Sequence, residues 1–160
     1  MNTHHLAQLN IARMIAPLHD PVMDGFRNNL DRINELAERS EGFAWRLKDY
    51  GNDATSIRVY DDDFMIVNMS VWSNLDSLFS FVYKSAHLEI FKRKNEWFEK
   101  MKAQHMVLWY VPEQHEPSVE EAIERLEHIR KHGETPSAFT FKKAFTPSGE
   151  PYKLKHQQQT

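Results

Sequence analysis

Residues 64–72 read Phe-Met-Ile-Val-Asn-Met-Ser-Val-Trp, and this alternating stretch decides the fold class. Successive side chains of a strand point to opposite faces of a sheet. The methionines and valines therefore share one face, whereas Asn68, Ser70 and Trp72 share the other. Unpaired amides and hydroxyls in a dry core each cost about 1 to 3 kcal/mol. The second face is therefore interpreted either as the lining of a ligand pocket or as a place where polar side chains pair across strands.

Further elements lie on both sides of this stretch. Three segments show the same alternation and are predicted strands: 5–13, 43–48 and 106–111. The turn-rich residues 49–53 predict a hairpin. One helix is predicted to begin at Asp20, before Pro21, and to continue to about residue 40, and another begins near Asn74 with a break near Ser85. The order strand, helix, strand, strand, helix, strand is typical of two helices packed on one face of an antiparallel sheet.

The C-terminal third of the chain is predicted to extend this unit. Ser118 and Glu121 form a capping-box pattern at the start of a third amphipathic helix. A short strand is predicted within 138–145. We divide the chain into a ferredoxin-like domain (1–112), a helix-strand extension of the same domain (113–145) and a polar, flexible tail (146–160).

Composition narrows the function classes. The chain has 160 residues, a formal charge of −3 and no cysteine. Its length fits one domain, and the negative charge argues against binding to nucleic acid. The absence of cysteine excludes thiolate metal sites and thiol nucleophiles. The sequence has no apolar run long enough to cross a membrane and no signal-peptide pattern at its start, which predicts a cytoplasmic protein that does not bind membranes.

Several segments together carry a resemblance to a known family: Gln8-Leu9-Asn10, Gly42-Phe43-Ala44-Trp45-Arg46, Val67-Asn68-Met69-Ser70-Val71-Trp72, Phe81-Val82-Tyr83 with Ser85-Ala86-His87, Glu96-Trp97-Phe98, Val107-Leu108-Trp109, and Thr135-Pro136-Ser137-Ala138-Phe139-Thr140-Phe141. In them the chain resembles the bacterial family of domain of unknown function 3291, related to the antibiotic-biosynthesis-monooxygenase type of dimeric α/β barrel. The resemblance covers nearly the whole chain. It implies an α+β ferredoxin-like (βαββαβ) fold, a homodimer whose two sheets form a barrel, and a small-molecule pocket between sheet and helices.

The wider superfamily implied by this resemblance contains several chemistries. It includes cofactor-independent monooxygenases of polyketide quinones, haem-degrading enzymes, chlorite dismutases and small isomerases or lyases. Asn10 matches the first-strand asparagine of the haem-degrading branch. Phe81 falls near that branch's tryptophan, and Phe91 or Lys92 falls near its iron-binding histidine, which argues against haem degradation. We therefore expect no cofactor and no metal, with haem bound through His87 as the alternative.

Three residues are the candidates for catalysis. His87 can move a proton near neutral pH without a large change in its pKa. Tyr83 lies one helical turn earlier, so that both side chains could reach one side of the helix. Asn10 and Tyr83 would then hold a developing enolate or phenolate. The alternative for His87 is a structural bond to a backbone carbonyl or to a partner chain.

Aromatic side chains and polar groups supply the candidates for substrate binding: Trp45, Asn68, Ser70, Trp72, Trp97 and Trp109. Aromatic side chains that line a pocket suit flat apolar ligands. The alternative role of these tryptophans is packing in the core. The predicted function is an enzyme acting on an aromatic or polycyclic metabolite, as a cofactor-independent monooxygenase or as an isomerase or lyase. A ligand-binding or haem-binding protein without turnover is the alternative.

Overall fold

A four-stranded antiparallel sheet organises the chain. The computed structural model describes residues 3–49 and 51–154. The strands of this sheet are β1 (His4–Arg13), β2 (Phe43–Arg46), β3 (Met65–Trp72) and β4 (Met106–Pro112). They lie in the order β2-β3-β1-β4, with helices between β1 and β2 and between β3 and β4. This is the βαββαβ arrangement of a ferredoxin-like fold, as the sequence predicts.

The helices follow the predicted order with shorter segments. They are α1 (Asp24–Arg27), α2 (Leu30–Arg39), α3 (Leu75–Lys84), α4 (His87–Lys92) and α5 (Val119–His132), with 3₁₀ turns at Pro21–Met23 and Lys94–Glu96. The first predicted helix is interrupted at Asn28 and Asn29, where the Asn29 amide donates to the Gly25 carbonyl at 2.7 Å. Asparagine competes with the helical backbone for such bonds. No helix in the described part of the chain is long and apolar enough to span a bilayer.

The predicted hairpin pairing is present, since β2 and β3 pair antiparallel, but residues 49–53 are not a short turn between these strands. β2 ends at Arg46, and the next strand begins at Met65. Within this long connection Asp49 accepts bonds from the backbone nitrogens of Gly51 and Ser56, which closes a smaller loop. Side chains of this connection, including Ile57 and Val59, pack against the sheet.

Each face of the sheet is covered by different parts of the same chain. We call one the α3 face; its buried apolar cluster combines strand residues with parts of α2, α3 and the C-terminal segment: Leu6, Ala37, Trp72, Leu75, Leu78, Leu108, Phe139, Ala144, Phe145 and Leu154. The other is the α5 face, which α5 and the loop after β2 cover: Ala7, Leu9, Ile11, Val59, Met65, Val67, Met69, Val71, Val107, Trp109, Val111, Ala122, Leu126, Ile129 and Ala138. The period-two pattern of β3 is therefore confirmed.

The sheet-to-sheet homodimer stays a prediction, but this cover of both faces weakens the argument on which that prediction depends. The prediction assumed that one face stays open until a second chain covers it. In the structure Trp72 and Trp109, which lie on opposite faces, are both 0% exposed within a single chain. The extension that begins after β4 supplies α5, and α5 occupies the face on which a second sheet would pack.

The prediction of a flexible tail is wrong for residues 146–154. Strand β5 (Ala144–Phe145) pairs with β6 (Pro151–Tyr152). The Tyr152 hydroxyl donates to the carboxylate of Asp76 at the start of α3, and Leu154 is fully buried in the core of the α3 face. A few apolar residues anchor this otherwise polar stretch. The remainder of the predicted tail, 155–160, lies outside the described residues.

Candidate functional site

Polar side chains cross the middle of the α3 face. Gln8 lies opposite Ser70, and Asn10 lies opposite Asn68. The Gln8 Nε2 donates to Asn68 Oδ1 at 2.7 Å and to Ser70 Oγ at 2.8 Å. The indole nitrogen of Trp72 also donates to Ser70 Oγ, at 2.8 Å. We call Trp72, Ser70, Gln8 and Asn68 the polar chain; its bonds confirm that polar groups pair across strands.

Exposure changes sharply along this face. Leu6 and Trp72 are 0% exposed, and Gln8 and Ser70 are each 8% exposed. One step further along the same strand pair, Asn68 is exposed although helices cover this face. The neighbouring floor residues are only partly buried: Asn10, Ala12, Ile66 and Met106. We call this open half of the α3 face the cleft, because solvent reaches the sheet there.

The junction between α3 and α4 holds His87. The Ser85 hydroxyl donates to the Phe81 carbonyl and accepts from the backbone nitrogen of His87. The Nδ1 atom of His87 lies 3.1 Å from the carbonyl oxygen of Val82, within hydrogen-bond distance. A carbonyl can only accept, so Nδ1 carries the hydrogen and Nε2 of the neutral ring keeps its lone pair. The bond satisfies a carbonyl in the last turn of α3, which has no partner within the helix.

The surroundings of His87 favour its neutral form. Burial lowers the pKa of the ring, and the bond to Val82 opposes this shift without cancelling it. The ring centroid lies 4.9 Å from that of Phe81 and 6.1 Å from that of Phe91. Phe81 in turn stacks on Trp72 at 5.2 Å. His87 therefore adjoins the polar chain through one intervening ring; among the described residues, no hydrogen bond joins His87 to Asn10 or to a member of the polar chain.

Tyr83 lies among a different set of rings. Its ring centroid is 4.6 Å from Phe79 and 5.9 Å from both Phe91 and Phe141. Burial raises the pKa of its hydroxyl. Tyr83 and His87 both contact the ring of Phe91. Among the described residues, no hydrogen bond or ring contact joins the two proposed catalytic side chains directly.

The four tryptophans do not form one aromatic wall. Only Trp72 belongs to the α3 face. Trp45 and Trp109 lie on the α5 face, where the Trp109 indole donates to Glu121 Oε2 of α5 at 2.9 Å. Trp97 is 1% exposed in a third small cluster beside Met14 and Met23. Core packing thus accounts for Trp97 and Trp109.

Two residues of this region, Gln8 and Phe81, were not among the candidate site residues predicted from the sequence. Gln8 joins Asn68 to Ser70, and Phe81 links Trp72 to His87. The signal for Gln8 was present, because alternation along β1 places it on the same face as Asn10. For Phe81 the signal was the resemblance, which places this residue near the tryptophan position of the haem-degrading branch.

Comparison with known proteins identifies the family of this chain. A family model described as domain of unknown function (DUF3291) matches residues 5–156. No curated protein matches the chain. Two solved structures from Nitrosomonas europaea are similar to 74% of this chain over 97% of their own. One, provisionally described as an antibiotic biosynthesis monooxygenase, is 12% identical with a TM-score of 0.47, and the other, a protein of unknown function, is 11% identical with a TM-score of 0.44.

Proposed function

The chain belongs to the family described as domain of unknown function 3291, and from the cleft on its α3 face we propose that it binds a flat aromatic or polycyclic metabolite and removes a proton from a carbon that is conjugated with the carbonyl group of that metabolite. This step is common to a cofactor-independent monooxygenase and to an isomerase or lyase. The proposal therefore names the shared chemistry of both.

The exposure of Asn68 carries the proposal. Asn68 lies in the middle of β3, on the face that helices cover, and its Oδ1 is already bound by Gln8. Its amide nitrogen remains able to donate to a ligand oxygen. Asn10 lies opposite Asn68 in register and is partly buried. Two uncharged amides at the bottom of an opening suit a carbonyl or phenol oxygen.

The roles of the surrounding residues follow from their contacts. Phe81 and Phe91 provide ring surfaces for a flat ligand. His87 accepts the proton at Nε2, because Nδ1 is bound to Val82. The bond from Nδ1 to the carbonyl strengthens when the ring becomes charged. Asn68 and Asn10 donate to the oxygen on which negative charge develops.

With oxygen as the second substrate, this scheme needs no bound cofactor. Deprotonated anthrone, for example, reacts with O₂ and loses water, so that its methylene group becomes the second carbonyl of anthraquinone. One O₂ is consumed, and one water is released. Without oxygen the same deprotonation appears as exchange of the methylene hydrogens with solvent.

The test separates proton removal from oxygen chemistry. Anthrone is incubated anaerobically in D₂O, and deuterium uptake is followed by NMR; in air, anthraquinone is followed by absorbance. We expect exchange above the buffer rate with the wild-type protein, and with Glu150→Ala as an exposed control. His87→Asn should reduce the exchange rate by at least about tenfold. Exchange at the buffer rate with all proteins would reject the proposal, and exchange without anthraquinone would favour the isomerase or lyase.

A binding protein for haem is the second candidate, and one observation favours it. A histidine that ligates a metal commonly donates its other ring hydrogen to a backbone carbonyl, as His87 does to Val82. His87 would hold the haem iron through Nε2. Titration with hemin should then give a Soret band that His87→Asn shifts or removes. An unchanged band in His87→Asn would exclude this ligand.

A further inference from the structure

We propose that the cleft recognises ligands that carry a carboxylate, and that Lys48 at the edge of the sheet pairs with this group. The inference rests on the proposed function, because it names the ligand class of the same cleft. The position of Lys48 in the sheet and the partners of the charges around it support the proposal.

The pairing of β2 with β3 continues beyond the last residue of β2. The two strands pair antiparallel up to Arg46. Beyond this point the backbone nitrogen of Leu47 donates to the carbonyl of Met69 at 2.9 Å. Residues directly opposite each other in an antiparallel pair advance in step, one on each strand. Lys48 therefore lies opposite Asn68.

Lys48 belongs to the α3 face of the sheet. Successive side chains of an extended segment point to opposite faces. Leu47 packs against the cluster of the α5 face. Arg46, on the other side of Leu47, reaches Glu38 of α2, with 3.2 Å between Nη2 and Oε1. Lys48 shares the face of Arg46, is exposed and stands at the edge of the cleft.

Four residues form one row across the open half of the α3 face. In the order of the strands from β2 to β4 they are Lys48, Asn68, Asn10 and Met106. The first two are exposed, and the last two are partly buried. Because β2 is an edge strand, the row leads from a cation at the rim, over two amides, to an apolar floor. This order suits a flat ligand whose rings cover the inner positions while its charged group stays at the rim.

The charge of Lys48 is not used within the protein. In the described part of the chain, its ammonium group forms no ion pair and no hydrogen bond. Asp49, the next residue, accepts bonds from two backbone nitrogens of its own loop. The neighbouring cation Arg46 is held instead by Glu38 and Asn52, at 3.2 and 2.9 Å from its Nη2. Lys48 is thus the cation of this rim that a ligand can engage without breaking an existing pair.

The row gives each polar group of a ligand its own partner. Lysine carries its ammonium group on a flexible four-carbon stem, so Lys48 can follow a carboxylate at the rim. The amides of Asn68 and Asn10 then remain for the carbonyl oxygen of the same ligand. A bond between an ammonium and a carboxylate is stronger than one between neutral groups. An uncharged ligand of the same shape would leave the ammonium in water and would lose this contribution.

Two ligands of nearly identical shape test this proposal. 2-Naphthoate carries one negative charge, and 2-naphthamide is neutral on the same ring system. Isothermal titration calorimetry at neutral pH and low ionic strength should give an affinity for the carboxylate at least about fivefold higher than for the amide. Lys48→Met should lower the affinity for 2-naphthoate by about fivefold and leave that for 2-naphthamide unchanged. Lys131→Met removes the same charge from an exposed position of α5 and should bind both ligands as the wild-type protein does.

The possible outcomes separate this inference from the proposed function. Equal or tighter binding of 2-naphthamide to the wild-type protein overturns the carboxylate preference but leaves the pocket in place. A preference that survives in Lys48→Met, or that Lys131→Met loses to the same extent, also overturns the role of Lys48. Binding of neither ligand by the wild-type protein contradicts both the inference and the proposed function. Thermal unfolding shows that each variant is folded; should Lys48→Met fail to fold, Lys48→Gln removes the same charge and is judged by the same criteria.

Discussion

At the scale of single residues, His87 has a structural task that is separable from any catalytic one. Its Nδ1 completes the C-terminal turn of α3 by bonding to Val82, and its Nε2 is left for a ligand. His87→Ala removes the donor and is expected to lower the free energy of unfolding by about 1 to 3 kcal/mol. His87→Asn places an amide nitrogen close to the position of Nδ1 and should retain most of that stability. Urea denaturation of both variants makes the comparison; equal losses would show that Val82 is not the relevant partner.

The same residue predicts a dependence of stability on pH. Burial lowers the pKa of His87 below its ordinary value of 6.5. The unfolded chain therefore takes up this proton at a higher pH than the folded chain does, so the contribution of His87 is complete above pH 6.5 and is lost as the pH falls toward the folded pKa. The stability of the wild-type protein relative to His87→Asn should decrease between about pH 7.5 and about pH 5. A difference that stays constant over this range would contradict the assignment.

At the scale of elements, local patterns predicted most of the fold. The alternation of β3 assigned its two faces, and the caps at Asn74 and Ser118 are present, where each side chain accepts a bond from the backbone nitrogen three residues later. The face of the sheet on which each tryptophan lies could not be predicted. Alternation shows which residues of one strand share a face, but it does not show which face of the neighbouring strand lies on the same side of the sheet. Pairing of Trp109 with Ala7 decides that question, and it depends on register between distant strands.

The C-terminal hairpin shows how composition alone misleads at this scale. Leu154 is fully buried in the cluster of the α3 face although the residues around it are polar. Leu154→Ala is therefore expected to reduce the free energy of unfolding by about 2 to 5 kcal/mol. Glu150→Ala, on the exposed side of the same hairpin, should stay within about 0.5 kcal/mol of the wild-type protein. Chemical denaturation distinguishes the two, and an unchanged Leu154→Ala would mean that the hairpin does not contribute to the folded core.

At the scale of the whole molecule, α5 bears on the state of association. A ferredoxin-like sheet with helices on one side leaves its other face apolar, and large exposed apolar faces in this class of fold are covered by association. Here Ala122, Leu126 and Ile129 of α5 are buried against that face. The indole nitrogen of Trp109 in the sheet also donates a hydrogen bond to the carboxylate of Glu121 in α5. The helix supplies within one chain the apolar contact that a second sheet would provide.

The chain is therefore expected to be a monomer of 18.9 kDa in solution. Multi-angle light scattering at micromolar concentration measures this mass directly, and a stable species of twice the mass would show that another surface pairs. Leu126→Asp places a charge beneath α5, where the wild-type side chain is 0% exposed, and should release the helix from the sheet. The exposed face of that variant should then associate, so that its mass rises with concentration, whereas Glu124→Asp on the solvent side of α5 should remain monomeric. A Leu126→Asp protein that stays folded and monomeric would show that α5 does not shield the sheet from a second chain.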